Sequence, residues 1–329
     1  MTQMAAERGM SICLDVGITQ TRAWAVKSRE IVGRAKILEG IRGAATDENR
    51  PAAMAAIQRV IAECLGGKTL RGEVDFIAAA GMITSELGPY PLDHIQGPAG
   101  MKRLSERVVQ THLPTDAQVP FFLVPGIRFG NDFDFDRNDS LRGEETLVMG
   151  MLASGHLAPG DALLNLGSHW KLISTNAASE IVESYTGMGG ELMLAVSRET
   201  ILKSNLPKDR PEELVADAIK TGRERAVRYG IGRTLFLSRM DSQRRGLTAE
   251  ESYWQLAGAL IEDSLIGLRH FLKGLARAGI SGYRPLAEAW ADALRQLGIE
   301  SRIFSEDEIE IAFCAGLKCI VASRNEQAE

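Results

Sequence analysis

The pattern that most constrains the fold is a short apolar strand, a glycine-containing turn and a second strand, and it occurs twice. The first copy starts at Met10, turns near Gly17 and continues with alternating apolar residues to Val26. The second covers 162–166, breaks at Gly167 and resumes at 171–175. Each copy predicts a β-hairpin. No repeat is visible in the sequence itself, so any duplication is one of architecture.

The rest of the chain alternates between helical and strand patterns. It predicts strands at 74–80 and 120–125, a polar loop at 131–139, and helices at 51–65 and 144–154. It then predicts helices at 191–203, 211–229, 249–277, 285–297 and 309–322, with a strand at 300–304. Mixed elements in two halves favour an α/β protein of two similar lobes, 9–157 and 158–329, with a cleft between them.

Composition limits the class of protein. The chain has 329 residues, 45% hydrophobic and 25% charged, so it should fold into about two domains. A formal net charge of −5 argues against a nucleic-acid partner. Four scattered cysteines, no long apolar stretch and a polar N-terminus predict a cytoplasmic protein with reduced thiols and no membrane partner.

The first turn carries groups suited to phosphate. We expect Gly17 to allow close backbone approach, with a positive φ if needed, and Thr19 and Thr21 to offer donors to phosphate oxygens. Asp15, at the end of a buried strand, could hold Mg²⁺ through water. An ordinary hairpin turn with a capping aspartate explains the same residues.

The second turn again places a glycine and a hydroxyl at a strand end, at Gly167 and Ser168. Alone it is common turn chemistry. Two such turns, one in each lobe, would hold a polyphosphate from both sides. His169 could touch phosphate or substrate, and a structural histidine fits equally well.

The third motif is the run from Arg142 to Thr146, in which Glu144 and Glu145 begin a helix. Helix capping explains one acid. A functional role requires a general base for a sugar hydroxyl or a Mg²⁺ ligand, with Arg142 binding an anion or keeping the acids ionised. The acidic run 132–136 lacks the glycine and glutamate of a calcium loop, so we expect a solvated loop there.

Several of these pieces together resemble the 2-dehydro-3-deoxygalactonokinase family. They occur in order from about residue 10 to about residue 322, and the Arg-Gly-Glu-Glu-Thr string at 142–146 is the most specific. The resemblance implies a two-lobed, actin-like ATPase fold of the ribonuclease H type. It also implies ATP- and Mg²⁺-dependent phosphorylation of the 6-hydroxyl of 2-dehydro-3-deoxy-D-galactonate, in galactonate catabolism. Nothing in the sequence distinguishes a homodimer from a monomer.

The resemblance also implies roles for individual residues. Glu144 would be the base, with Glu145 as its helper or a metal ligand beside Asp15. The phosphates and nucleotide would contact Asp15, Gly17, Thr19, Thr21, Gly167, Ser168 and Gly282. The sugar acid would contact Arg22, Gly81, Ser85, Glu86, Arg142, His169 and Lys171.

One departure from the family leaves other hypotheses open. Where the family has a glycine-rich adenosine loop, only Gly282 fits, and the bulkier Tyr283, Arg284 and Pro285 follow it. Stacking on Tyr283 could replace that loop. Alternatives are a non-catalytic nucleotide or sugar-acid sensor, a kinase of another keto-deoxy sugar acid and, least favoured, an ATPase acting on a protein partner.

Overall fold

The computed structural model describes residues 9–18, 20–40, 50–70, 72–113, 118–131 and 133–328, and they form two compact units. Unit 1 contains the described residues up to Gly160, then Thr175–Glu183 and those from Asp307 onward. Unit 2 contains Asp161–Ser174 and Ser184–Glu306. The units are therefore discontinuous in sequence. The C-terminal residues from Asp307, expected in the second lobe, belong to unit 1.

Unit 1 is built on a six-stranded sheet with the order β3-β2-β1-β4-β7-β6. β1 pairs antiparallel with β2 and parallel with β4, and β4 pairs parallel with β7. The strands of unit 1 that form this sheet and a smaller one of order β5-β8-β9 are β1 Met10–Val16, β2 Thr21–Lys27, β3 Glu30–Ile37, β4 Val74–Gly81, β5 Ile95–Gln96, β6 Val109–His112, β7 Pro120–Leu123, β8 Ile127–Asn131 and β9 Asp134–Leu141. Its helices are α1 Arg50–Leu65, α2 Met101–Ser105, α3 Glu144–Ala153 and, later in the chain, α9 Glu306–Ala328, with a 3₁₀ helix at Met82–Thr84.

Unit 2 is built on a five-stranded sheet with the order β12-β11-β10-β13-β14. Its strands are β10 Ala162–Leu166, β11 Trp170–Thr175, β12 Ile181–Gly187, β13 Arg277–Gly282 and β14 Glu300–Ile303. Its helices are α4 Gly189–Glu199, α5 Ala216–Tyr229, α6 Ile231–Arg245, α7 Ala249–Leu268 and α8 Arg284–Gln296, with a 3₁₀ helix at Ile201–Asn205. β10 pairs antiparallel with β11 and parallel with β13, which pairs parallel with β14.

The two sheets follow one plan. In each, a hairpin contributes the first two strands, and the first strand then pairs in parallel with a strand from much later in the unit. The last residues of the parallel pair are in register in both, Val16 with Gly81 and Leu166 with Gly282. The expected duplication of architecture is thus present in the topology.

Each unit also has one helix crossing made by reciprocal glycines. In unit 1 a Cβ on Gly150 of α3 would lie 1.7 Å from the Ala312 carbonyl oxygen of α9, and one on Gly316 would lie 2.1 Å from the Thr146 oxygen. In unit 2 the pair is Gly222 of α5 and Gly258 of α7. The absence of side chains lets the backbones touch, so the crossing with α9 fixes where α3 lies.

Both predicted hairpins and the helices α1, α3 and α8 are confirmed, but several elements differ from expectation. A helix was predicted over 249–277, but α7 ends at Leu268 and residue 277 is the first residue of β13. β13 contains two glycines, which weaken its strand signal. The predicted loop at 131–139 is largely the β8–β9 hairpin, although Asp132 lies outside the described residues. α6, β3 and β12 were not predicted. None of the helices in the described part of the chain is both long and apolar enough to cross a membrane.

Candidate active-site residues

The first turn of unit 1 is tight. The Gly17 N–H donates to the Gln20 carbonyl at 2.9 Å, and a Cβ on Gly40 would lie 2.4 Å from the Gly17 oxygen. Close packing therefore explains the glycines, and Gly17 is not among the residues with positive φ. Thr19 lies outside the described residues. Thr21 is buried and its hydroxyl donates to the Glu39 carbonyl at 2.8 Å, so this hydroxyl is engaged within the fold.

Asp15 is the next-to-last residue of β1 and faces Arg22 across the hairpin. Arg22 Nε lies 3.8 Å from Asp15 Oδ2, which is an ion pair but too long for a hydrogen bond. Burial raises the pKa of the Asp15 carboxyl, Arg22 opposes the rise and Glu144 adds to it. The Arg22 Nε atom is itself buried and has no hydrogen-bond partner among the described residues. Both groups are therefore suited to a further polar ligand.

Two glycines bring the end of β4 and the start of α3 against Asp15. Gly81 has φ +92°, and a Cβ there would lie 2.7 Å from the Val16 carbonyl oxygen and 3.3 Å from Asp15 Oδ1. Gly143 has φ +104°, and its Cβ would lie 3.3 Å from the Gly81 Cα. Both positions need a residue without a side chain, because of the φ and of the space. Three segments far apart in sequence thus converge at one carboxylate.

The two acids that start α3 have different surroundings. Glu144 is partly exposed, and its Oε2 accepts a hydrogen bond from the Arg142 backbone N–H at 3.0 Å. Glu145 is fully buried. Its oxygens accept from the Gly143 N–H at 2.9 and 2.8 Å and from the Thr146 hydroxyl at 3.1 Å. Burial, with Glu144 nearby, raises the pKa of Glu145 to about 7.

Arg142 is held by the loop that follows the 3₁₀ helix. Its guanidinium donates to the Thr84 carbonyl oxygen, to the Thr84 hydroxyl at 3.0 Å and to the Leu92 carbonyl oxygen at 3.0 Å. It also lies 3.2 Å from His94 Nδ1. Burial lowers the pKa of Arg142, and nearby acids, Glu145 first, oppose the change. Arg142 therefore orders the 84–94 loop. No sequence motif predicts these hydrogen bonds, because Thr84 and His94 belong to none.

Ser85 and Glu86 lie in the same loop but differ in access. Ser85 is buried, and its hydroxyl donates to the Met82 carbonyl at 2.8 Å. Glu86 is exposed. Of the two, only Glu86 presents its side chain to solvent.

The turn of unit 2 is exposed at Gly167 and Ser168. A Cβ on Gly190 would lie 2.3 Å from the Gly167 carbonyl oxygen, and the Glu191 N–H donates to the Ser168 carbonyl at 2.8 Å. The carbonyls of the turn therefore face the start of α4. His169 Nε2 lies 3.6 Å from Glu191 Oε1, whereas Trp170 is buried against Trp290, so these neighbours face opposite ways.

Behind this turn lies a cluster of polar side chains, of which only Lys171 was expected at the site. Lys171 is buried and is the cross-strand neighbour of Asn165. Asn165 Oδ1 accepts from the Ser281 hydroxyl at 2.9 Å. Gly282 follows with φ +136°, and a Cβ there would lie 2.9 Å from the Leu166 carbonyl oxygen. Asn165 precedes Gly167 as Asp15 precedes Gly17, and this spacing was the signal available in the sequence.

Eleven of the proposed site residues form one group in each unit, and Gly17, Thr19, Thr21, Ser85 and Glu86 are not among them. Unit 1 brings together Asp15, Arg22, Gly81, Arg142, Glu144 and Glu145, and unit 2 brings together Gly167, Ser168, His169, Lys171 and Gly282. Within the residues described, no group of three or more His, Cys, Asp and Glu side chains is arranged to hold a metal ion by itself.

Solved structures show the same fold. A Sinorhizobium meliloti protein assigned as a 2-dehydro-3-deoxygalactonokinase matches with a TM-score of 0.75 and 22% identity, over 95% of this chain and 98% of that one. Weaker matches are the ADPNP-bound Clostridium difficile activator of 2-hydroxyisocaproyl-CoA dehydratase (TM-score 0.52, 12% identity, 97% of both chains) and Lactobacillus acidophilus xylulose kinase (0.53, 9%, 97% and 90%). The fold is therefore that of the actin-like ATPases and sugar kinases.

Sequence comparison identifies the family. A search of curated proteins finds no significant match. The family model for 2-keto-3-deoxy-galactonokinase matches residues 15–320, which include every residue of both groups. The chain belongs to the 2-keto-3-deoxy-galactonokinase family of sugar-acid kinases.

Proposed function

We propose that the protein transfers the γ-phosphoryl group of ATP to the 6-hydroxyl of 2-dehydro-3-deoxy-D-galactonate. The product is 2-dehydro-3-deoxy-6-phosphogalactonate, an intermediate of galactonate catabolism. Family membership supports the reaction class. The observation that carries the residue assignment is a partly exposed carboxylate, Glu144, at the start of α3 beside Asp15.

Glu144 is the base in this proposal. One oxygen is held by the Arg142 N–H, which orients the carboxylate while the side chain keeps access to solvent. A base in this position takes the proton of the sugar hydroxyl as the oxygen attacks phosphorus. Because α3 is fixed by its crossing with α9, the start of the helix holds the Glu144 carboxylate in a defined position.

The residues present fit a Mg²⁺ ion bound together with a polyphosphate. Kinases commonly hold Mg²⁺ through one or two carboxylates, with phosphate and water completing the shell, so a three-residue cluster is not required. Asp15 would supply this carboxylate; burial raises its pKa and the nearby Glu144 adds to the rise, and a bound cation would oppose both effects. When bound, Mg²⁺ neutralises charge on the phosphoryl oxygens.

The turn at Gly167 and Ser168 fits the ATP phosphates. Its carbonyls face the start of α4, and its exposed surface retains the Ser168 hydroxyl and backbone N–H groups. Such groups bind phosphate oxygens. Gly282, at the end of the adjacent strand, would border the nucleotide.

Arg22 is our first candidate for the carboxylate of the sugar acid. Its buried Nε lies 3.8 Å from Asp15 Oδ2 and has no hydrogen-bond partner among the described residues, so it is a donor that a bound anion would satisfy. Gly81, Glu86, His169 and Lys171 remain candidates for substrate contact. The guanidinium of Arg142 and the hydroxyl of Ser85 are engaged within unit 1, so we propose that they shape the substrate loop.

A test of the residue assignment compares Glu144→Gln with Glu106→Gln, which changes an exposed acid at the end of α2. We expect Glu144→Gln to lose about 10²- to 10⁴-fold in kcat, because general-base catalysis contributes about that much. Glu106→Gln should be unaffected. ADP release by a coupled assay measures both, and near-normal turnover by a folded Glu144→Gln protein would remove Glu144 from the role.

A sensor and a kinase of another keto-deoxy sugar acid are the alternatives. The sensor hypothesis comes from Tyr283, which stands directly after Gly282, at the N-cap of α8, where the family has a glycine-rich loop. Its ring centroid lies 5.6 Å from Arg210 Cζ. Calorimetry separates it from an enzyme, since a sensor would bind nucleotide or sugar acid tightly without turnover. A cytoplasmic location stays a prediction, tested by fractionation, and size-exclusion chromatography decides between a monomer and a homodimer.

A further inference from the structure

Glu145 is the most buried acid of the unit 1 group, and it folds back on its own helix. Its side chain is fully buried, and a bifurcated hydrogen bond joins its two oxygens to the Gly143 N–H at 2.9 and 2.8 Å. The Thr146 hydroxyl is a second donor and lies 3.1 Å from Oε1. A free N–H at a helix start needs an acceptor, and here the acceptor is an acid two residues later.

Gly143 is the backbone unit on which the site is assembled. With φ +104° it turns the chain from β9 into α3, and it approaches Gly81 so closely that a Cβ would lie 3.3 Å from the Gly81 Cα. The next residue is Glu144 and the preceding one is Arg142, which is tied to the 84–94 loop. A small rotation of the Gly143 peptide would therefore displace Glu144.

We propose that Glu145 is a positioning residue for phosphoryl transfer, in which its buried carboxylate fixes the Gly143 peptide and thereby the direction of Glu144. This inference rests on the proposed function. In this role Glu145 does not touch substrate or metal, because its side chain has no exposed surface through which either could reach it. The earlier expectation that Glu145 is a metal ligand is replaced by this role.

Two substitutions separate positioning from ligation. Glu145→Gln keeps one acceptor oxygen for the Gly143 N–H, whereas Glu145→Met has similar bulk and no hydrogen-bonding oxygen. We expect Glu145→Met to lose about 100-fold in kcat, the size of effect produced by a misplacement of about 1 Å. Glu145→Gln should recover most of this loss. The KM values and the Mg²⁺ concentration for half-maximal rate should be close to wild type in both variants.

Thr146→Val provides a milder variant that removes the hydroxyl donor and leaves the Gly143 contact in place. It should retain more activity than Glu145→Met, with the same Mg²⁺ dependence. Equal losses in Glu145→Gln and Glu145→Met, with a raised Mg²⁺ requirement, would overturn the proposal in favour of a ligand. Full activity in Glu145→Met would overturn it as well.

Hydrogen exchange gives a readout that does not depend on the reaction. Exchange of the Gly143 amide, followed by NMR or by mass spectrometry of the peptide that contains it, should be faster in Glu145→Met than in wild type and intermediate in Glu145→Gln. Unchanged exchange in Glu145→Met would refute the contact. If the wild-type protein phosphorylates no sugar acid while the three proteins show this order of exchange rates, the proposed function is overturned and the contact between Glu145 and Gly143 stands.

Discussion

The strand-end turns of the two units have the same backbone plan but different chemistry. In unit 1, Asp15 faces Arg22 across the hairpin and Ala80 on the parallel strand. In unit 2, Asn165 takes the place of the aspartate, Lys171 that of the arginine and Ser281 that of the alanine. Asn165 is neutral and accepts from Ser281 at 2.9 Å, whereas Asp15 is an acid whose nearest Arg22 nitrogen is 3.8 Å away.

The difference indicates how two turns with the same backbone plan can bind different groups. A neutral amide satisfied by a serine stabilises a turn whose exposed groups can bind phosphate. An acid without a serine opposite it keeps oxygens that a cation could bind, and the cation would offset the burial that raises its pKa. If this division is right, substitutions at matching positions should have unequal effects on activity.

Among substitutions at matching positions of the two turns, the largest effect is expected from Asp15→Asn, which gives unit 1 the amide of unit 2. We expect kcat to fall roughly 10²- to 10³-fold, as for the loss of a key electrostatic group, because an amide cannot replace a carboxylate toward a cation. The reciprocal Asn165→Asp change keeps the acceptor for Ser281 and should cost much less activity. Steady-state ADP release measures both, and equal losses would break the comparison.

The glycines that end β4 and β13 provide the next test. Gly81→Ala and Gly282→Ala each place a Cβ at positive φ within 3 Å of a carbonyl oxygen, so each should lower the free energy of unfolding by about 2 to 3 kcal/mol. Only the new Cβ at Gly81 would also lie near the Asp15 carboxylate, at 3.3 Å. Urea unfolding and kcat, measured together, should therefore show the greater activity loss at Gly81.

Glu145 should make the stability of unit 1 depend on pH. Its pKa is raised from an ordinary 4.5 to about 7, so the folded protein binds more protons than the unfolded chain between these values. The stabilisation is complete below about pH 4.5 and is lost as the pH rises through 7, a change on the order of 3 kcal/mol. Glu145→Gln should flatten this slope in urea unfolding from pH 5 to 8.

The matched control is Glu191→Gln at the start of α4, where the side chain is 41% exposed. It should keep the wild-type slope. A slope that survives in Glu145→Gln would assign the pH dependence to another group.

The smallest effect is expected from Ser281→Ala. It removes the donor to Asn165 and should lower the free energy of unfolding by about 1 kcal/mol, with a modest loss of activity. Chemical denaturation of the variant measures it. A loss of activity as large as that of Asp15→Asn would indicate that Ser281 and Asn165 take part in the reaction and do not only stabilise the unit 2 turn.

Local patterns predicted the hairpins because alternating residues and turn glycines act over a few positions. They also predicted α3 and its two acids. β13 was missed because a buried parallel strand has no alternation, and 277–282 is short and contains two glycines. The return of α9 to unit 1 depends on contacts at Gly150 and Gly316, which no local pattern reports.

Sequence motifs predict which candidate residues meet better than they predict what surrounds each side chain. Asp15, Gly81 and Glu144 do come together, since the adjacent strands β1 and β4 end where α3 begins. Thr21 and Arg142 were expected at ligands, but their polar groups are engaged by the Glu39 carbonyl and the 84–94 loop. Such long-range hydrogen bonds depend on the fold and are invisible in a motif.

The most direct test of the account is the reaction itself. Wild-type protein should be incubated with Mg·ATP and a panel of 2-keto-3-deoxy sugar acids, with ADP release and the position of the new phosphate both measured. The account predicts turnover on 2-dehydro-3-deoxy-D-galactonate, with phosphate on the 6-hydroxyl. Phosphorylation of a different panel member alone would contradict the substrate, and a folded protein that phosphorylates none of them would contradict the kinase.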